Sequence, residues 1–199
     1  MSNLEADPVE YDCAAGPPNR IEILEPREVP LGGPRAMMVR RTLPQRDRSL
    51  VGAWCFADHY GPEHGVCMDV PPHPHTGLQT VSWLFEGEIE HRDSGGVHAM
   101  VRPGQVNLMT SGYGIAHSEV STESRAALHG VQLWVVLPEG SADLTREFQH
   151  HEPGLDAPAA GVAARTFIGR LGDAVSPVHT ETPLLGSEII LAPGATWEA

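Results

Sequence analysis

Basic side chains are scarce in this sequence: 13 Lys and Arg stand against 26 Asp and Glu in 199 residues, a formal charge of −13. A groove that tracks phosphates, or a face held to an anionic membrane, needs the opposite sign, so direct nucleic-acid or membrane-surface binding is not expected. Long apolar runs are missing as well. The longest, such as residues 131–137 (VQLWVVL), fall far short of the ~18 residues of a membrane span. The opening MSNLEADPVEYD is acidic where a secretory leader is basic, and the expected location is the cytoplasm. Cysteine is rare: Cys13, Cys55 and Cys67 are an odd set with no CxxC pair. That excludes a disulfide framework and a thiolate zinc knuckle, and the three read as reduced thiols.

Turn formers are what the chain has in quantity. Its 21 Gly and 18 Pro make about a fifth of the sequence, with no Gly-X-Y period and no low-complexity tract. Val81, Trp83 and Phe85 alternate with Thr80, Ser82 and Leu84, a period-2 strand pattern that ends at the turn Glu86-Gly87. Further strands are expected at 89–94, 97–102, 106–110 and 115–121, broken by Gly95-Gly96, Pro103-Gly104 and the run SGYG at 111–114. The most apolar strand, 131–137, should be central. Strand and turn recur every 8 to 12 residues or so, the spacing of an all-β sandwich or barrel. The expected organisation is an N-terminal arm at 1–20, a barrel at 21–138, a linker with a short helical turn at 139–161, and a β segment at 162–199 too short for a core of its own.

Histidine is concentrated: seven of the eleven (His59, His64, His73, His75, His91, His98 and His117) fall between positions 59 and 117. Residues i and i+2 of a strand share a face, so His73-Pro74-His75 aims two imidazoles at one point, and His117-Ser118-Glu119 repeats the geometry with a carboxylate. Two hairpins between the pairs would bring them together inside a small barrel. Three nitrogens and one oxygen with open positions suit Fe(II), Mn(II), Ni(II) or Zn(II), and the lack of thiolates argues against a purely structural zinc.

The run from His73 to Ser121, HPHTGLQTVSWLFEGEIEHRDSGGVHAMVRPGQVNLMTSGYGIAHSEVS, resembles the pirin family of the cupin superfamily, with both triplets in family order and spacing. The resemblance implies a cupin, a double-stranded β-helix or jelly-roll-like barrel. It further implies a bicupin whose second module is incomplete here, LLGSEIILAPGATWEA resembling its start. Iron held by His73, His75, His117 and Glu119 is implied too, and so is quercetin 2,3-dioxygenase activity on a flavonol or similar enol-bearing aromatic. Glu119, able to take a proton by loosening from the metal, is the expected catalytic base. Some members imply the alternative, a metal-dependent and redox-sensing interaction protein or transcriptional co-regulator without turnover, for which an acidic surface would suit a basic regulatory protein partner.

Gln79 departs from the pattern, standing where the family usually has Glu. An amide can still position a ligand through a hydrogen bond but cannot take a proton, so slow oxygenation with normal metal binding is expected. His91 and Arg92, in EIEHRDS, read as a solvated or cross-strand-paired face. His59 and His64 read as surface residues of a loop ahead of the triplet, and His129, His150, His151 and His179 as surface histidines. Trp83, Phe85, Met100, Leu108, Met109 and Trp134 are core candidates, with the lining of an apolar pocket as the alternative. Gly112 and Gly114 are expected to make a tight positive-φ turn ahead of the strand bearing His117.

Overall fold

A computed structural model describes residues 22–31, 37–65, 67–122 and 127–198. The expected arm at 1–20, and Cys13 with it, lies outside them. The described residues form sixteen strands and a single 3-10 turn, Glu139–Ser141. The strands are β1 (Arg27–Leu31), β2 (Met37–Leu43), β3 (Trp54–Glu63), β4 (Asp69–His75), β5 (Leu78–Glu86), β6 (Ile89–Asp93), β7 (His98–Val101) and β8 (Val106–Thr110). They continue with β9 (Ile115–Ser121), β10 (Leu128–Val136), β11 (Glu147–His151), β12 (Asp156–Ala159), β13 (Val162–Ile168), β14 (Arg170–Leu171), β15 (Ala174–Val175) and β16 (Gly186–Leu191). No helix among the described residues is long and apolar enough to cross a membrane.

Two antiparallel sheets make the main body. The larger runs β1-β2-β3-β10-β5-β8-β11 and the smaller β4-β9-β6-β7. They face each other over a core in which Val39, Tyr60 and Leu84 of the large sheet meet Val70, Ile89 and Val101 of the small one. The strand expected to be central, β10, is the middle one of seven, between β3 and β5. β5 is buried from Gln79 to Leu84 without a break, because both of its faces are covered. The even-numbered face looks into the barrel. On the odd-numbered face, Val81 and Trp83 cluster with Val106, Leu108, Phe167 and Ile168, and the Trp83 and Phe167 rings stack at 4.5 Å. The C-terminal β segment therefore packs its own residues into the main body's core while its strands pair among themselves as β12-β13-β16 and β14-β15.

The stretch 139–161, expected as a linker with a helical turn, carries the 3-10 turn and also two strands. Of these, β11 pairs in register with β8, Phe148 opposite Met109, and so belongs to the large sheet. His59 differs from expectation in a similar way: it lies within the ten-residue strand β3, half-buried, instead of in a loop. Asp58 and Pro62 stand on the same alternate positions as Phe56 and Tyr60, and this mixed composition hid the strand. His64 is exposed beyond its end.

The turn before β9 is tightly fixed. Gly112 has φ +50°, and a Cβ there would meet the carbonyl oxygen of Leu144 at 1.8 Å. Tyr113 N–H donates to that same oxygen at 3.1 Å. Gly96, in the β6–β7 turn, has φ +93° but open space around it. Gly112→Ala should therefore destabilise by about 2 kcal/mol or more, against about 1 kcal/mol for Gly96→Ala, where only backbone strain operates. Urea denaturation of both variants checks the order; equal midpoints would contradict it.

Candidate metal centre

The site is built on cross-strand register. β9 lies between β4 and β6, with His73 opposite His117 on one side and Asp93 opposite His117 on the other. One row of the sheet thus reads His73, His117, Asp93, and the next pairs Glu119 with His91. The inward face of β9 is Ile115, His117 and Glu119, all buried, as the i, i+2 spacing requires. His75 is buried, and His73 sits half-exposed at the rim.

The ligand atoms of His73, His75 and His117 all lie within 4.8 Å of one another. Two ligands at about 2.1 Å from one ion and near a right angle stand about 3 Å apart, and the Nε2 atoms of His75 and His117 are separated by 3.1 Å. His73 Nδ1 faces the carbonyl oxygen of Pro71 at 3.0 Å. A carbonyl only accepts, so Nδ1 carries the proton and Nε2 keeps its lone pair. Glu119 belongs to a second group under the same 4.8 Å limit, with His91 and His117. His117 joins the two groups. The four expected residues are thus linked through His117, Glu119 standing outside the 4.8 Å group of the three imidazoles, and the donor set fits a divalent metal without thiolate ligation.

His91, taken from sequence for part of a solvated or paired face, is 3% exposed. Its Nε2 lies 3.2 Å from Asp93 Oδ2 and its Nδ1 lies 3.4 Å from His117 Nδ1. The ring of Phe148, on β11, packs on it at 4.9 Å. The alternating charges of EIEHRDS masked the signal, although His91 and Asp93 share the i, i+2 spacing that marked the other pairs. Arg92 does face solvent, bonded to Glu90.

Aromatic rings wall the opposite side. Trp134 meets His75 edge-on at 4.8 Å and stacks on Phe56 at 4.0 Å. Arg41 lies over Phe56 and holds Asp58 through two 2.7 Å bonds. Trp83, Leu108 and Met109 are core. A more open cleft of about 500 Å³, lined by Asp156, Thr166, Asp173 and Trp197 among others, shares no residue with this cluster.

The Pirin family profile matches residues 36–135, half of the sequence. The chain belongs to the pirin family. It is 40% identical over 181 residues to a Pseudomonas aeruginosa protein provisionally named a quercetin 2,3-dioxygenase, covering 89% of this chain and 57% of that one. It is 41% identical over 169 residues to a pirin-like protein of Caulobacter vibrioides, covering 79% and 59% respectively. The crystal structure of a quercetin 2,3-dioxygenase from Acinetobacter baumannii superposes with a TM-score of 0.79 at 38% identity, over 84% of this chain and 56% of that one. The chain thus spans somewhat over half the length of these relatives, and its architecture is that of the cupins.

Burial disfavours charge on the inward groups of this pirin. Burial pushes the His75 imidazole down to about 4, helped by His73, and that of His117 to about 2, helped by His73, His75 and His91. Burial pushes the Glu119 carboxyl up, while His91, the Ser82 hydroxyl and His73 pull it back. Ser82 Oγ lies 3.0 Å from both Glu119 Oε1 and Gln132 Oε1. One hydroxyl proton serves only one acceptor. The chain closes when Glu119 is protonated and donates to Ser82, or when the Gln132 amide is turned to donate its NH₂.

Gln79 is placed differently from what a base at the metal requires. Ser82 reaches Glu119, so the even positions of β5 face the site. Gln79, with Val81 and Trp83, faces the other side and donates to Thr110 Oγ1 at 3.0 Å. Its Oε1 is buried without a partner. A carboxylate there would be buried with the Thr110 hydroxyl as its neighbour and no counter-charge, and it would not face the metal position. Gln79→Glu should cost about 2 kcal/mol or more in urea denaturation and leave metal affinity unchanged; a gain in oxygenation rate would contradict this placement.

The metal-free protein should lose stability in acid. Below the ordinary imidazole value of ~6.5 the unfolded chain takes up protons that folded His75 and His117 refuse, so their stabilising contribution is complete above that pH and declines towards 4 and 2. Glu119 runs the opposite way: its raised value penalises the folded state at neutral pH, and the penalty is relieved as the pH falls through it. Glu119→Gln should then be more stable than the parent at pH ~7.5 and lose stability more steeply down to pH ~5.5. A variant less stable than the parent at the higher pH would refute the assignment of signs.

Proposed function

We propose that this pirin is a mononuclear non-haem iron protein that oxygenates flavonols or related enol-bearing aromatics, with His73, His75, His117 and Glu119 as the metal ligands. The observation that carries the reading is the cluster of three imidazoles, linked through His117 to the buried carboxylate of Glu119, with His75 and His117 held neutral by burial. Neutral imidazole is the ligating form. The relatives' names, quercetin 2,3-dioxygenase among them, support the substrate class.

When bound, the metal supplies Lewis acidity that acidifies a substrate hydroxyl. The chain supplies the rest. Glu119, the one candidate ligand that can take a proton by loosening from the metal, would accept the hydroxyl proton and donate it to the Ser82 oxygen 3.0 Å away. Trp134, stacked on Phe56, offers an apolar wall beside His75 for a flat aromatic ring and excludes water from the enolate.

Metal analysis of the full chain purified without added metal, then an oxygen-electrode assay with quercetin on iron-loaded protein, tests this. The expected results are about one metal per chain and steady oxygen uptake. His75→Ala or His117→Ala should lose most of the metal and keep the β fold by circular dichroism. Full metal occupancy in His73→Ala/His117→Ala would sink the site. Full iron loading without oxygen uptake from any flavonol would transfer the reading to the non-catalytic, metal-dependent interaction protein.

A further inference from the structure

We propose that Asp93 and His91 form a positioning relay that fixes the tautomer of His117, keeping its Nε2 lone pair, and not an N–H, aimed at the metal position. The proposal rests on the metal-site reading above for its consequence, but the relay itself is a property of the chain alone.

The argument is a proton count along one line of atoms. Asp93, whose side chain is 1% exposed, is held by two backbone donors: Gly95 N–H at 2.7 Å and Val97 N–H at 3.1 Å both bond Oδ1. That leaves Oδ2 for His91 Nε2 at 3.2 Å. A carboxylate only accepts, so His91 Nε2 carries the proton. A ring with one proton then presents a bare Nδ1, and the atom facing it is His117 Nδ1 at 3.4 Å. His117 must therefore donate from Nδ1, which leaves its Nε2 unprotonated. That Nε2 is the atom turned towards His75, 3.1 Å away.

His91 is excluded as a member of the three-imidazole cluster by the same geometry. One of its nitrogens faces Asp93 and the other faces the far side of His117. Its ring is held in place by Phe148 at 4.9 Å, and the strand pairing sets Asp93 opposite His117 and His91 opposite Glu119. Carboxylate, imidazole and ligand imidazole are thus fixed by three backbone positions on two adjacent strands. Partners behind a ligand histidine set its tautomer and commonly contribute 10- to 100-fold to metal affinity.

Asp93→Asn separates this role from a structural one. Asn keeps Oδ1 for the two backbone donors, so the turn survives, but it presents an NH₂ to His91 Nε2. Every proton in the line then reverses, and His117 is left with Nε2–H facing the metal position. In serine hydrolases the same exchange keeps geometry and supplies the wrong tautomer. His91→Phe is the second variant: it retains a ring against Phe148 and removes the acceptor for His117.

The readout is the pair of ring-nitrogen shifts of His117 in ¹⁵N-labelled, metal-free full chain, with competition titration of Fe(II), and of Zn(II) as a redox-inert probe. The parent should show Nδ1–H with bare Nε2, Asp93→Asn the reverse, and His91→Phe a mixture, each variant binding metal roughly 10- to 100-fold more weakly. Nε2–H on His117 in the parent overturns the proposal, as does an unchanged tautomer or unchanged affinity in Asp93→Asn. A parent that binds neither metal defeats the metal-site reading, while the nitrogen shifts alone still decide the relay.

Discussion

The register of β9 between β4 and β6 is the constraint on which the rest of this molecule depends. With His117 opposite both His73 and Asp93, one strand delivers two inward groups, and its two neighbours deliver the groups they meet. A one-residue slip of β9 would turn His117 and Glu119 to solvent and Ala116 and Ser118 inward, because strand side chains alternate faces. The glycine turn ahead of β9, locked against the Leu144 carbonyl, sets where the strand begins. Register and turn together decide whether there is a site.

What that register brings together is electrostatically poor without a cation. His75 and His117 are held far below the usual imidazole range, and burial pushes the Glu119 carboxyl up. Each shift records the cost of charge in a site from which water is removed. No arginine or lysine answers Glu119 in its shift: what steadies it comes from His91, Ser82 and His73. A buried carboxylate beside neutral imidazoles leaves a net negative charge that a divalent ion would relieve, so the same burial that destabilises the metal-free chain would favour the ion.

The parts of this design legible in the sequence were those with local spacing. The His-x-His and His-x-Glu pairs, the turn glycines and the strands from β5 to β10 follow from period-2 alternation and Gly or Pro punctuation. The parts that were not legible depend on what a strand meets. His91 looked like one charge among several, since nothing local distinguishes a buried His-x-Asp pair from an exposed one. β11 looked like the approach to a linker because its single aromatic, Phe148, acquires meaning only when β8 is beside it. Gln79 shows the reverse error. The resemblance, with Glu usual at this position, made it a possible acid or base near the metal, and the alternation of β5 places it on the other face.

That other face explains why the large sheet is so apolar at its centre. β5 and β8 separate two environments: Ser82 looks towards Glu119, while Val81, Trp83, Val106 and Leu108 are covered by Phe167 and Ile168 of the C-terminal segment. The burial of a one-sided strand would alternate, and that of β5 does not although its residue types do, because it is the wall common to both. The two sides are thereby coupled through backbone rather than through side-chain contact. Trp83, stacked on Phe167, holds the strand on one side at the point where its neighbour Ser82 holds the carboxylate on the other. Precision at the metal centre is thus inherited from packing on a face that no ligand touches, and the C-terminal segment belongs to the site's scaffold even though it contributes none of its candidate ligands.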